Sequence, residues 1–158
     1  MSDAVLETVQ LKPDEMVARY VGGAHIDGET GQINGSAFDR TPKDVDGVSF
    51  TRRGMFAAEA EADRTVIRQV VGSRLRLGRT AVFAEVQVGS TLKALHEFES
   101  SIEFVEDPLK PEENALANPA HALLIGYPFK NESIGSLKSE VAGDQLRLRI
   151  LDRFAAVP

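Results

Sequence analysis

The chain has 158 residues, 42% hydrophobic and 27% charged, the balance of one globular domain able to bury a core without staples. Its 24 acidic and 18 basic residues leave a net charge of −6, which argues against broad nucleic-acid coating, and the absence of cysteine excludes disulfides, thiolate zinc sites and cysteine nucleophiles. The acidic N-terminus lacks the order of a signal peptide and no apolar run approaches the roughly 20 residues of a membrane span, so a cytoplasmic location is the default expectation.

Residues 1–12 read as a flexible N-terminal arm, docked weakly through Val5, Val9 and Leu11. Pro13-Asp14-Glu15 has the chemistry of a helix start, and Met16, Val17 and Tyr20 would bury one stripe of a helix over 13–21 that stops at Gly22-Gly23. Residues 24–53 then mix acids, bases and glycines with neither helical nor strand periodicity. A structureless loop of that length is improbable in a compact domain, so turns or function should order it. Asp27-Gly28 and Thr30-Gly31 are turn signals, Ile33 and Phe38 are the expected anchors, and Asp44-Val45-Asp46-Gly47 turns the chain into a strand at Val48–Phe50.

From Thr51, a possible N-cap, Met55, Phe56, Ala57 and Ala58 suit a helix, and Val66, Ile67, Val70 and Val71 continue it to Gly72, as one helix or a broken pair. Leu75 and Leu77 alternate with Arg74, Arg76 and Arg79, a strand-like pattern that puts the arginines on one face. Such a face could hold an anion or an acidic partner, although a solvated strand face explains it more simply. Ala81–Val88 is the clearest strand, Thr91–Phe98 suits either state, and Ile102–Val105 and Ala120–Tyr127 read as strands on either side of a proline-bearing loop. Residues 128–140 look turn-rich. Asp144–Phe154 fits a helix capped by Asp144, with Leu146, Ile150 and Phe154 on one face, slightly better than a strand. The expected fold is a single α+β domain, with a mixed or mainly antiparallel sheet and two or three helices on one face, those at 13–21 and 52–71 among them.

Two of the three histidines stand in suggestive places. His25 follows the diglycine within Ala-His-Ile-Asp-Gly, and His121 opens an apolar strand. Together they could form an acid–base pair, with Arg40, Arg52 or Arg53 steadying an anion, or a divalent-metal site with Asp27. As turn and strand-edge residues they need no such role. Asp46 and Ser49 join these arginines as candidate ligand-binding residues. Asp44 and Asp46 do not complete a calcium loop, because Gly47 comes one position early and Met55 stands where a bidentate glutamate is needed. No nucleotide fingerprint or serine elbow is present, and the sequence leaves any cofactor unknown.

His25-Ile26, Ser36-Ala37-Phe38, Asp46-Gly47-Val48-Ser49 and Asn118-Pro119-Ala120-His121-Ala122 occur in this order. The succession resembles a small, poorly characterised bacterial protein family across roughly residues 20–127. The resemblance brings no settled activity, cofactor or fold, but it links the elements that carry His25 and His121. The functional expectation is a cytoplasmic bacterial binding protein with a protein partner and a contact surface on 24–53. A small hydrolase or nucleic-acid-processing enzyme using His25 and His121, or the metal site, is the alternative.

Overall fold

The computed structural model describes residues 8–97, 99–130 and 135–158, the side chains of 135–138 excepted. Its strands are β1 (Met16–Val21), β2 (Val48–Arg52), β3 (Val82–Gln87), β4 (Glu103–Glu106), β5 (His121–Ile125) and β6 (Ile150–Ala155); its α-helices are α1 (Ala60–Gly72), α2 (Val88–Leu95) and α3 (Gly135–Leu148). They form one α+β unit around a six-stranded sheet of order β4-β5-β2-β1-β3-β6, antiparallel at every pairing. These pairings make β2, β3 and β4 run one way and β1, β5 and β6 the other.

The segment expected to be the first helix is instead β1, near the centre of the sheet. Its six residues pair without interruption against β3, from Met16 opposite Gln87 to Val21 opposite Val82. Helix-start preferences are worth about 1 kcal/mol or less. Burial of Val17 and Val21 is worth roughly 1.5–3 kcal/mol each, and the strand's backbone groups find partners on both edges. Tertiary pairing therefore overrides the local signal.

Within residues 1–12, those before 8 lie outside the described residues. Val9–Leu11 runs along the outer edge of β4: Leu11 N donates to Phe104 O at 3.0 Å and Glu106 N to Val9 O at 2.8 Å, with Leu11 buried.

Turns order the 24–53 stretch, as its glycines suggest. Asp27 Oδ1 accepts the backbone N–H of Glu29 and Thr30 at 2.8 and 3.0 Å, and Gly31 closes the turn at φ 72°, where a side chain would be strained. Ile33 and Phe38 are buried anchors, Phe38 lying in the short 3-10 helix Gly35–Phe38.

Helix α1 begins later than expected, at Ala60. Its cap is Glu59, whose carboxylate accepts Ala62 N at 2.6 Å, whereas Thr51 is buried in β2. The alternating segment 74–79 is not a strand, because β1 and β6 already occupy both edges of β3. The ambiguous segment after β3 becomes α2. Phe98, the last residue of the segment expected over 91–98, lies outside the described residues.

At the C-terminal end the expected helix over 144–154 is divided. Helix α3 ends at Leu148, and Ile150–Ala155 pairs with the free edge of β3. Of the residues expected to be turn-rich, 131–134 lie outside the described residues and the helix begins at Gly135. What draws α3 in is its close approach to the 3-10 helix. A Cβ on Gly143 would fall 2.5 Å from Gly35 O, so only glycine permits this contact, and Ala142 and Leu146 are then buried.

The helices divide between the two faces of the sheet. Val17, Phe50, Phe104 and Leu124 build the larger core with Leu95 of α2 and Leu146 of α3. Phe83 and Phe154 stack at 5.0 Å on the opposite face, beside Ile67 of α1. This second cluster draws on β1, β3 and β6. The β2–β5 half of the same face is where the site lies.

Candidate functional site

Strands β1 and β2 pair at only two positions, Val17–Arg52 and Ala18–Thr51. Beyond them, Nη1 of Arg19 takes up the Ser49 carbonyl at 2.9 Å and its Nε the Ala37 carbonyl at 2.8 Å. A side chain thus supplies the partner that a neighbouring strand would otherwise give. Burial is the main influence on this guanidinium and lowers its pKa from the ordinary value, against the opposing pull of Asp44, Tyr127 and Asp39.

Beside this splayed seam lies a cavity of about 320 Å³. Ala18, Tyr20 and Phe83 supply an apolar floor, the end of α1 and the turn after it contribute Val71, Arg74 and Leu75, and Leu109, Asn118 and His121 close another side. Tyr20 is fixed by an edge-on contact with Phe83 at 5.7 Å and by Gly78 N, which donates to its hydroxyl at 2.9 Å. Arg74 Nη2 donates to Lys110 O and Leu116 O at 2.8 and 3.0 Å, tying α1 to the 109–118 loop. Exposed Leu75 and Leu116 stand beside these residues, and exposed Val45 follows the lining residue Asp44.

His121 alternates along β5 with Ala122 and Leu124, whose side chains enter the larger core, so its ring faces the cavity side of the sheet. Its Nδ1 lies 2.9 Å from Asp107 O and 3.0 Å from Asp107 Oδ2. Both partners are acceptors, so Nδ1 carries the hydrogen and Nε2 keeps its lone pair in the neutral ring. Thr51 is opposite His121 across the β2–β5 ladder and receives Asn118 Nδ2 at 3.5 Å. Among the described residues no hydroxyl is hydrogen-bonded to Nε2.

The structure does not bring His25 to this cavity. Its Nδ1 lies 2.9 Å from Ser36 Oγ, beside the 3-10 helix that packs under α3 against the opposite face. Asp27 is occupied by its own turn, which holds its carboxyl below the usual range. Among the described residues no cluster of three or more histidines and carboxylates could hold a metal ion, so His25, Asp27 and His121 do not assemble as one site.

Of the remaining candidates, Ser49 lines the cavity with Asp44 and Thr51. Arg40 is buried: it donates to the carbonyls of Asp44, Val45 and Tyr127 and stacks 3.8 Å from the Phe129 ring, an organiser of its own loop. Asp46 is exposed in the turn before β2. Arg52 pairs with Glu15 at 2.7 Å, and Arg53 bridges the buried carboxylates of Asp63 and Glu85. Both arginines therefore spend their charge inside the protein. Sequence reading missed Asp107, Arg74 as a cavity residue, and the Asp63–Arg53–Glu85 cluster. Only Arg74 had left a signal, in the alternation of residues 74–79. No family model, curated protein or solved structure matches the chain.

Proposed function

We propose that this protein is a binding protein rather than a catalyst, and that its site is the cavity beside the β1–β2 seam. One observation carries this reading: about 320 Å³ of mainly apolar space with a few polar groups at its walls, the size and character of a small-ligand site. The polar stretch expected to form the contact surface contributes Asp44, Ser49 and Thr51 to it. Exposed Val45, Leu75 and Leu116 nearby suit a larger partner reaching over the opening.

The test is an NMR screen of small neutral compounds such as benzene and cyclohexanol against the labelled protein. Saturable shifts at the amides of residues 18–20, 49–51 and 121, abolished by Ser49→Trp with an unchanged melting temperature, support the reading. Binding elsewhere only, or binding indifferent to that substitution, removes it.

A second reading, a small hydrolase, rests on the Asp107–His121 pair. An imidazole whose Nδ1–H is held by a carboxylate, with no partner on Nε2 among the described residues, is arranged as general bases are. The reading requires turnover that His121→Gln abolishes while ligand binding survives.

A further inference from the structure

We propose that the cavity takes a small monocarboxylate with an apolar body, an aryl or short alkyl acid, its head drawn to the Arg74 guanidinium. This rests on the cavity being the binding site and adds the sign of the ligand's charge. Arg74 differs in its compensation from the neighbouring arginines. Arg52, Arg64 and Arg68 meet carboxylates at 2.7, 2.8 and 3.3 Å, and Arg53 bridges two buried ones. The nearest carboxylate to Arg74 is that of Glu112, 3.9 Å away on a side chain 74% exposed, a contact worth little in water. Its hydrogen bonds go to two neutral carbonyls through Nη2, and among the described residues Nη1 makes none.

Of the other polar groups of the lining, Ser49 and Asn118 offer donors, while the neutral His121 ring presents Nε2 as an acceptor. Among the described residues Ser49 has no hydrogen bond to its hydroxyl, and Asn118, whose Oδ1 accepts Ala120 N at 3.1 Å, has only the long contact to Thr51 at its Nδ2. Arg19 also borders the cavity at the seam, but its guanidinium turns to the Ala37 and Ser49 carbonyls and lies over the Phe50 ring, on the larger-core side of β1. The one opposing charge in the lining is Asp44, whose Oδ2 already accepts the backbone N–H and hydroxyl of Thr41 at 3.0 and 3.1 Å. A donor-rich, under-compensated cationic wall facing Ala18, Phe83 and Leu75 suits an anionic head on an apolar body. At ~30 Å³ per water the space equals about ten waters, which limits the ligand to one ring or a short chain.

The experiment titrates phenylacetate, phenylethanol and phenethylamine into the labelled full chain and follows the amides lining the cavity. Phenylacetate should bind about tenfold or more tightly than the alcohol, with the amine weakest, the ordering expected when a charge-assisted bond is gained. Arg74→Gln should remove the preference for the carboxylate while leaving the alcohol's affinity in place, and Arg74→Lys should restore part of it. The dispersion of the amide spectrum reports folding of each variant. Equal binding of the three compounds, a preference for the amine, or a carboxylate preference that survives Arg74→Gln overturns the charge assignment and leaves the cavity reading standing. No shift at the cavity from any of the three overturns both.

Discussion

Asp107 Oδ2 lies 3.0 Å from Nδ1 of His121, and the backbone carbonyl of the same aspartate lies 2.9 Å from that nitrogen. One residue just past the end of β4 thus clamps the ring at the start of β5 through two oxygens. Long-range proton–nitrogen NMR should find the neutral ring of His121 protonated on Nδ1. Asp107→Ala should weaken that preference without abolishing it, because the residue's backbone carbonyl remains as an acceptor, with a stability loss of at most about 1 kcal/mol, since the carboxylate is 42% exposed. A ring protonated on Nε2 in the unmodified protein would contradict the arrangement.

The Asp63–Arg53–Glu85 cluster should be costly to break. Asp63 is fully buried and also accepts the backbone N–H of Gly54 and Phe56 at 2.9 and 3.1 Å, so it fixes the turn ahead of α1. Arg53→Ala leaves the buried Asp63 carboxylate without a cation and Glu85 with Arg64 alone, and should lower unfolding stability by about 3–5 kcal/mol in urea titration. Glu112→Ala, at an exposed side chain, should stay within about 0.5 kcal/mol. Similar midpoints for the two variants would mean that the cluster does not hold the fold.

Tyr127 is buried, and among the described residues its hydroxyl has no hydrogen-bond partner. Burial pushes the phenol above its ordinary value. The folded state therefore keeps a proton that the unfolded chain releases at about pH 10. The stability tied to this group is fully present below that pH and is lost as pH rises above it. Tyr127→Phe removes the orphaned hydroxyl, so it should raise stability at neutral pH by roughly 1 kcal/mol and flatten the alkaline limb of the melting-temperature profile. A destabilised variant with an unchanged alkaline limb would show that the hydroxyl has a partner.

At the acid end, the backbone N–H of Arg153 and then the guanidinium of Arg64 hold the Asp152 carboxyl below its usual range. A depressed carboxyl contributes stability above its unfolded pKa and loses it as pH falls through the folded one. Asp152→Asn should therefore reduce the loss of melting temperature on acidification below about pH 4. An acid limb of unchanged steepness would place the sensitivity elsewhere.

Gly143→Ala replaces a weak helix former with the best one, a change that favours an isolated helix by about 1 kcal/mol. Here the new methyl would meet the Gly35 carbonyl at 2.5 Å, and backbone atoms on both sides resist moving. The net result should be a destabilisation of about 1–3 kcal/mol by thermal or urea unfolding. A stabilised variant would show that α3 can shift away from the 3-10 helix at little cost.

The sequence by itself determined the pieces whose chemistry is local. β2, β3, β4 and β5 were legible as β-branched or alternating apolar runs, and the long polar stretch as a series of turns anchored by Ile33 and Phe38. Tertiary structure decided the rest. β1 carries the residues of a helix start, but two neighbouring strand edges outweigh that preference. Leu146 and Ile150 fit either period, and the chain changes state between them because α3 has the 3-10 helix to pack on and β6 has an open edge of β3 to join. The histidines diverge for a similar reason. Side-chain alternation sends His121 to one face of the sheet, while the turn after β1 leaves His25 with Ser36 beside the other. Which groups meet across a sheet depends on strand order and register, set by long-range pairing that no stretch of the chain encodes alone.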